Sequence, residues 1–239
     1  MINSLFRVCR FAVLVACICS WAWGAKDTLS INVSGVKSEV GVWWPKSSAN
    51  APVFVWFHGG MTSGNCEKGL VAGDDLSKLY PSVIVVSASA CRENHWATEP
   101  MVAIVDRVLD SVAAIRKSPV KSVSLVGVSD GAIGVIVYSQ AGSRGVKDRL
   151  LVSSNGSLLG DARSVAQVKK FKEGRWRFLQ GGSDRLYPSG VTVPWIDTFC
   201  KTLQGDCDLK FDPAGEHDWS YWRGRRLDWI KDALPADRK

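Results

Sequence analysis

The sequence predicts an α/β layered fold, a mostly parallel central sheet of about eight strands flanked by helices. Three observations predict it. Short, near-continuous apolar runs recur along the chain, the composition needed by strands buried on both faces. Between them lie longer stretches whose apolar residues return at three- and four-residue steps, the helical period. Apolar residues make up 46% and charged residues 22% of 239 residues, an ordinary balance for one globular domain with a sizeable core.

Thr28–Val33 and Val40–Trp44 read as a leading pair of strands. Val53–Phe57, Val83–Val86, Val123–Val128, Leu150–Ser153, Trp176–Gln180 and Leu209–Phe211 follow as further strands. Val102, Val105, Leu109 and Val112 share one helical face. Asp130–Ser139, Ser164–Phe171, Val193–Leu203 and Tyr221–Leu234 read as further helices. This strand–helix alternation builds a parallel sheet covered by helices. Ligands of such sheets bind beyond the carboxyl ends of the strands, so chemical residues are expected just after strands.

Residues 1–24 read as a signal peptide, leaving a single domain over 25–239. Arg7 and Arg10 precede the apolar stretch Phe11–Cys19, and Ala22 and Gly24 offer the small residues a signal peptidase reads. The apolar stretch is too short to cross a bilayer core, which needs about 20 residues. Leu14–Cys17 also fits a lipobox, which would make Cys17 a lipidated terminus, the second-ranked reading. Either way the chain is expected to be exported, periplasmic or secreted. No other segment could span a membrane.

The formal charge of +7 loses Arg7 and Arg10 with the signal and becomes +5. No Lys/Arg block or basic stripe stands out, so a nucleic-acid partner is not expected. Cys66, Cys91, Cys200 and Cys207 remain after the signal is removed. An even number in an exported chain points to two disulfides, with three pairings open. No Cys-x-x-Cys pair supports a metal site, and neither metal nor cofactor is expected.

Gly127-Val-Ser-Asp-Gly131 is a Gly-x-Ser-x-Gly between an apolar strand and an apolar helix. Such a turn forces the Ser into a strained conformation that presents its hydroxyl above the sheet, and the flanking glycines relieve crowding. Alone the motif is weak, since a glycine-rich turn produces it by chance; its context raises it. His58-Gly59-Gly60 ends an earlier strand. Acyl transfer needs backbone N–H groups aimed at the developing oxyanion. The expected donors are Asp130, directly after the nucleophile, and Gly60 or Met61.

A Ser hydroxyl needs a base. His58 belongs to the His-Gly-Gly element and reads as structural. His95 lies in a loop where it could line the cleft. His217, after the last strand, fits the chain order of nucleophile, acid, base, so it is the expected base. Asp184, in the turn after Gln180, is the expected orienting carboxylate. Asp161 reads instead as a helix N-cap, while Asp218 and Glu216 neighbour the His. Trp96, Trp219 and Trp222 are the aromatic candidates for lining the cleft.

Trp56–Gly60, Gly127–Gly131, Gly181–Asp184 and His217–Arg223 together resemble the α/β-hydrolase superfamily over nearly the whole mature chain. The His-x-Trp-x-x-Trp ending resembles the esterase D and enterochelin esterase branch. The resemblance implies a triad of Ser129, Asp184 and His217 acting on a small or polymer-borne ester. Acyl transfer, peptide cleavage and non-catalytic binding are the competing readings. Asp130 departs from the more familiar Met, Phe or Ala after the nucleophile. Only about 20 residues separate the strands at Leu150 and Trp176, too few for a large lid. Order along this fold also favours Cys66–Cys91 and Cys200–Cys207.

Overall fold

The computed structural model describes residues 25–60 and 62–236. The expected signal segment, Cys17 within it and the oxyanion candidate Met61 lie outside the described residues.

Eight strands form one sheet in the order β1-β2-β4-β3-β5-β6-β7-β8. β1 (Lys26–Val33) and β2 (Val36–Trp43) pair antiparallel, and β2 runs antiparallel to β4 (Ile84–Ala88). β3 (Val53–Phe57), β4, β5 (Ser122–Val128), β6 (Gly145–Val152), β7 (Arg175–Gly181) and β8 (Cys207–Asp212) are mutually parallel. Every residue of β3 and β4 is buried, which is why those strands read as unbroken apolar runs.

The pleat divides these runs between two cores. Val55, Phe57, Leu125, Leu151 and Phe178 face one side, where α3 (Glu99–Arg116), α4 (Gly131–Ala141) and α6 (Ser189–Leu203) supply the partners. Phe54, Trp56, Val126, Val128, Leu150 and Val152 face the other. There they meet α2 (Asp74–Leu79), α7 (Trp219–Arg225) and α8 (Leu227–Ala233).

Register places the chemistry. Phe57 pairs with Gly127, Val128 with Val152, and Gly181 with Asp212. The residues after these ends, 58–60, 129–130, 153–155, 182–187 and 213–219, therefore emerge along one edge.

The structure departs from the sequence reading in several places. The expected helix at 164–171 is a short α5 (Ala162–Ala166) and a 3-10 turn over Lys169–Lys172. The expected closing helix is two, broken at Arg226, whose φ of −133° and ψ of 39° leave the helical region. Its guanidinium instead donates to Asp212 at 2.7 Å. Two short helices, α1 (Gly69–Ala72) and α2, occupy a stretch with no sequence-predicted element. Between β6 and β7 lie only α5 and two 3-10 turns, so this connection forms no large lid among the described residues. Cys66 is bonded to Cys91 and Cys200 to Cys207. Among the described residues, no helix is long and apolar enough to cross a membrane.

Candidate active site

Ser129 sits between β5 and α4 with φ +56°, in the left-handed region that non-glycine residues rarely enter. Its N–H donates to the Val152 carbonyl at 3.0 Å. The flanking glycines are sterically required. A Cβ on Gly127 would stand 2.4 Å from the Gly131 oxygen, and one on Gly131 would stand 1.9 Å from the Phe57 oxygen.

The β3 end passes directly beside Ser129. A Cβ on Gly59 would lie 3.0 Å from the Ser129 Cβ, and Gly60 has φ +70°. His58 is structural. Its Nε2 accepts the Ala90 N–H at 3.0 Å, so Nδ1 carries the proton and donates to the Gly59 carbonyl at 2.9 Å. Burial pushes its pKa down to about 4, so the ring is neutral and ties the end of β3 to the end of β4.

Asp184 follows β7 in a turn that hands its carboxylate the N–H groups of Leu186 and Tyr187, each at 2.9 Å. His217 Nδ1 donates to the same carboxylate, at 2.9 Å to Oδ2 and 3.1 Å to Oδ1. Burial pushes the Asp184 pKa up. The His217 hydrogen bond and the two backbone donors outweigh it and hold the carboxyl below its usual range. With Nδ1 committed, the lone pair on Nε2 is left to act as a base.

Ser129 and His217 line one cavity of ≈590 Å³, together with Gly59, Gly60, Asp130 and Trp219. A larger cavity, ≈680 Å³, opens at the opposite edge of the sheet beside Arg116, Lys121, Lys147 and Asp148. It holds no histidine, so the smaller cavity is the candidate site. Among the described residues, no group of three His, Cys, Asp or Glu stands where it could hold a metal ion.

The aromatic expectations need correction. Trp96 is 2% exposed, packed edge-on against Phe57, with its N–H donated to the His58 carbonyl at 3.0 Å. Trp222 is 0% exposed and donates to the Glu216 carbonyl at 2.9 Å. Both are core residues that support the site's loops rather than cleft walls. His95 is exposed and outside the cavity lining. Trp219 does line the cavity, edge-on to Trp56 at 4.8 Å. Asp161 caps α5 by accepting the N–H groups of Arg163 and Ser164.

Three residues escaped the sequence reading. Tyr187 packs its ring 5.3 Å from that of His217 and donates its hydroxyl to Asp130 at 3.0 Å. Asn155 donates to the same Asp130 oxygen at 2.7 Å. Burial, and then the neighbouring Asp130 carboxylate, raise the Tyr187 pKa, so the phenol stays protonated. Lys68 reaches the cavity from the segment before α1 and donates to the Gly60 carbonyl at 2.8 Å. The only sequence signal for Tyr187 is its place three residues after Asp184.

No family model matches the chain, and no curated protein is significantly similar to it in sequence. Solved structures are similar in fold. A thermostable esterase superimposes with a TM-score of 0.63 at 12% identity over 87% of this chain, which spans 62% of that chain. An esterase from Pyrococcus furiosus gives 0.61 at 14% identity over 88% of this chain and 94% of the other. A cold-adapted esterase from an Arctic intertidal metagenomic library gives 0.61 at 17% identity over 87% and 94%. The sheet order, the parallel strands and these superpositions give the chain the α/β-hydrolase fold.

Proposed function

We propose that this chain is an exported serine hydrolase that cleaves carboxylic esters through an acyl-enzyme on Ser129. The carrying observation is the convergence of Ser129, His217 with its Nδ1 held by Asp184, and the Gly59–Gly60 turn on one open cavity. In this reading His217 Nε2 takes the Ser129 proton as the hydroxyl attacks the ester carbonyl. Asp184 holds the imidazole in the required tautomer and balances the imidazolium that forms. The Asp130 N–H and the amide after Gly60 receive the oxyanion. His217 then protonates the leaving alcohol, and water, activated by the same base, releases the acid.

Export is supported by the 1–24 segment and the two disulfides, which persist in oxidising compartments. The short connection between β6 and β7, which forms no large lid, leaves the cleft open and supports short-chain esters over long lipids. The esterase folds among the similar structures favour the same chemistry.

A fluorophosphonate probe on the folded mature protein tests the proposal. Labelling of the wild type that disappears in Ser129→Ala supports it, together with turnover of p-nitrophenyl acetate. A folded wild type that takes no label and turns over no short ester sinks it.

A further inference from the structure

We propose that Tyr187 is a positioning residue for the candidate triad, its phenol hydroxyl locking the loop that carries Asp184 onto the turn that carries Ser129. This rests on the triad reading proposed above.

β6 stands between β5 and β7, so the ends of those two strands lie about 9–10 Å apart. Ser129 follows β5 and Asp184 follows β7. Register aligns the strand ends, but the loops beyond them need a bond of their own. Tyr187 spans the gap. At one end its N–H donates to Asp184 Oδ1 at 2.9 Å, and its carbonyl accepts Gln180 Nε2 at 3.1 Å. Its ring lies 5.3 Å from the His217 ring, inclined at 57°. At the other end its hydroxyl donates to Asp130 Oδ1 at 3.0 Å, on the residue next to the nucleophile. Asn155, in the loop after β6, donates from Nδ2 to the same Asp130 oxygen at 2.7 Å and to the phenol oxygen at 3.2 Å. The bridge thus closes across the ends of three adjacent strands.

The hydroxyl acts as a donor and not as a second base. Burial, then the Asp130 carboxylate, keep the phenol protonated. Its single proton goes to Asp130, and its oxygen accepts from Asn155. The Ser129 side chain is a further hydrogen-bond partner of the phenol, which sets the bridge against the nucleophile itself. Asp130 and Asn155 are both buried, and a hydrogen bond to a carboxylate is about twice as strong as a neutral one. The base loop has a second tie, from Ser153 Oγ to the Glu216 carbonyl, but at 3.4 Å it is longer and does not touch the acid turn. A misplacement of about 1 Å between reacting groups costs on the order of a hundredfold in rate, so the phenol bridge governs the approach of Ser129 to His217.

The test compares wild type, Tyr187→Phe, Asp130→Ala, their double variant and the control Tyr221→Phe. Tyr187→Phe removes the hydroxyl while the ring and both backbone bonds remain. Tyr221→Phe removes a phenol–carboxylate bond of similar length, 2.8 Å to Asp212, away from the cavity lining. Each is measured for p-nitrophenyl acetate turnover, rate of fluorophosphonate labelling and melting temperature. In Tyr187→Phe, kcat and the labelling rate should both fall about 10- to 100-fold, with KM within about twofold. Asp130→Ala, which breaks the same bond from its other end, should lose as much, and the double variant little more than either single one. Tyr221→Phe should keep wild-type kcat even where its melting temperature falls as far as that of Tyr187→Phe. The inference is overturned if folded Tyr187→Phe or Asp130→Ala keeps wild-type kcat and labelling rate. A rise in KM alone overturns it, since that would make the phenol a substrate contact. So do fully additive losses in the double variant, or an equal loss of kcat in Tyr221→Phe. A wild type that neither turns over ester nor takes the label removes the hydrolase reading itself, and this inference with it.

Discussion

Replacing Gly131 by Ala probes how tightly the nucleophile turn is wedged against its neighbouring strand. The added Cβ would stand 1.9 Å from the Phe57 oxygen and 3.1 Å from the His58 oxygen, and both are backbone atoms that cannot swing aside. Restoring an ordinary 3.4 Å contact from 1.9 Å requires the start of α4 and the end of β3 to part by about 1.5 Å. α4 begins directly behind Ser129, and β3 leads into Gly59 and Gly60. The widening therefore falls between Ser129 and the Gly59–Gly60 turn, the nucleophile and an oxyanion donor of the proposed mechanism. A misplacement of about 1 Å costs on the order of a hundredfold in rate. Overpacking of this kind destabilises by about 1–3 kcal/mol, or roughly 3–9 °C in Tm for a domain of this size. kcat/KM for p-nitrophenyl acetate should thus fall by about 100-fold or more in a protein still folded at room temperature. Gly190→Ala, where a Cβ meets nothing within 4 Å, should leave activity unchanged. Wild-type turnover by folded Gly131→Ala would refute the reasoning.

Two further predictions concern stability. Asp184, Asp212 and Asp232 all titrate below the ordinary carboxylate range: the Arg226 guanidinium holds Asp212 down, the Lys210 ammonium holds Asp232 down, and at Asp184 the His217 bond overcomes burial. A depressed folded pKa gives stability that is complete above the unfolded value, about 3.9, and lost as pH falls through the folded one. Melting followed by circular dichroism should therefore show Tm dropping below about pH 4, less steeply in Asp212→Asn; a Tm that rises on acidification through this window contradicts the assignment. The disulfides close sequence separations of 25 and 7 residues. Loop-closure entropy then makes the Cys66–Cys91 bridge worth about 1 kcal/mol more, from 1.5RT ln(25/7). The Cys66→Ser/Cys91→Ser double variant should melt roughly 2–4 °C below Cys200→Ser/Cys207→Ser, and the reverse order would dismiss the entropic account.

The strands and the Ser129 turn were readable in the sequence because their signals are local. A buried parallel strand must be apolar throughout, and the turn at Ser129 must have glycines where Gly131 meets Phe57. What stayed hidden depends on contacts distant in sequence. Trp96 and Trp222 lie beside loop motifs, and nothing local reveals that one roofs Phe57 and the other sits beneath Glu216. The break at Arg226 coincides with its hydrogen bond to Asp212, 14 residues earlier, in a sequence whose helical period continues. Asn155, Tyr187 and Lys68 carry no motif; each meets its partner only when separate strand ends align.

The two walls of the cleft are secured by different kinds of bond. The wall carrying Gly60 and Lys68 is moored by the Cys66–Cys91 cross-link to the end of β4. The wall carrying Asp184, Tyr187 and His217 is held there by hydrogen bonds, since the Cys200–Cys207 cross-link lies at the far end of β8 from His217. Warming is therefore expected to loosen the Asp184–His217 wall first, while the Gly60 wall keeps its shape. In the proposed hydrolase, heat inactivation is expected to begin with the displacement of His217, ahead of any loss of the sheet.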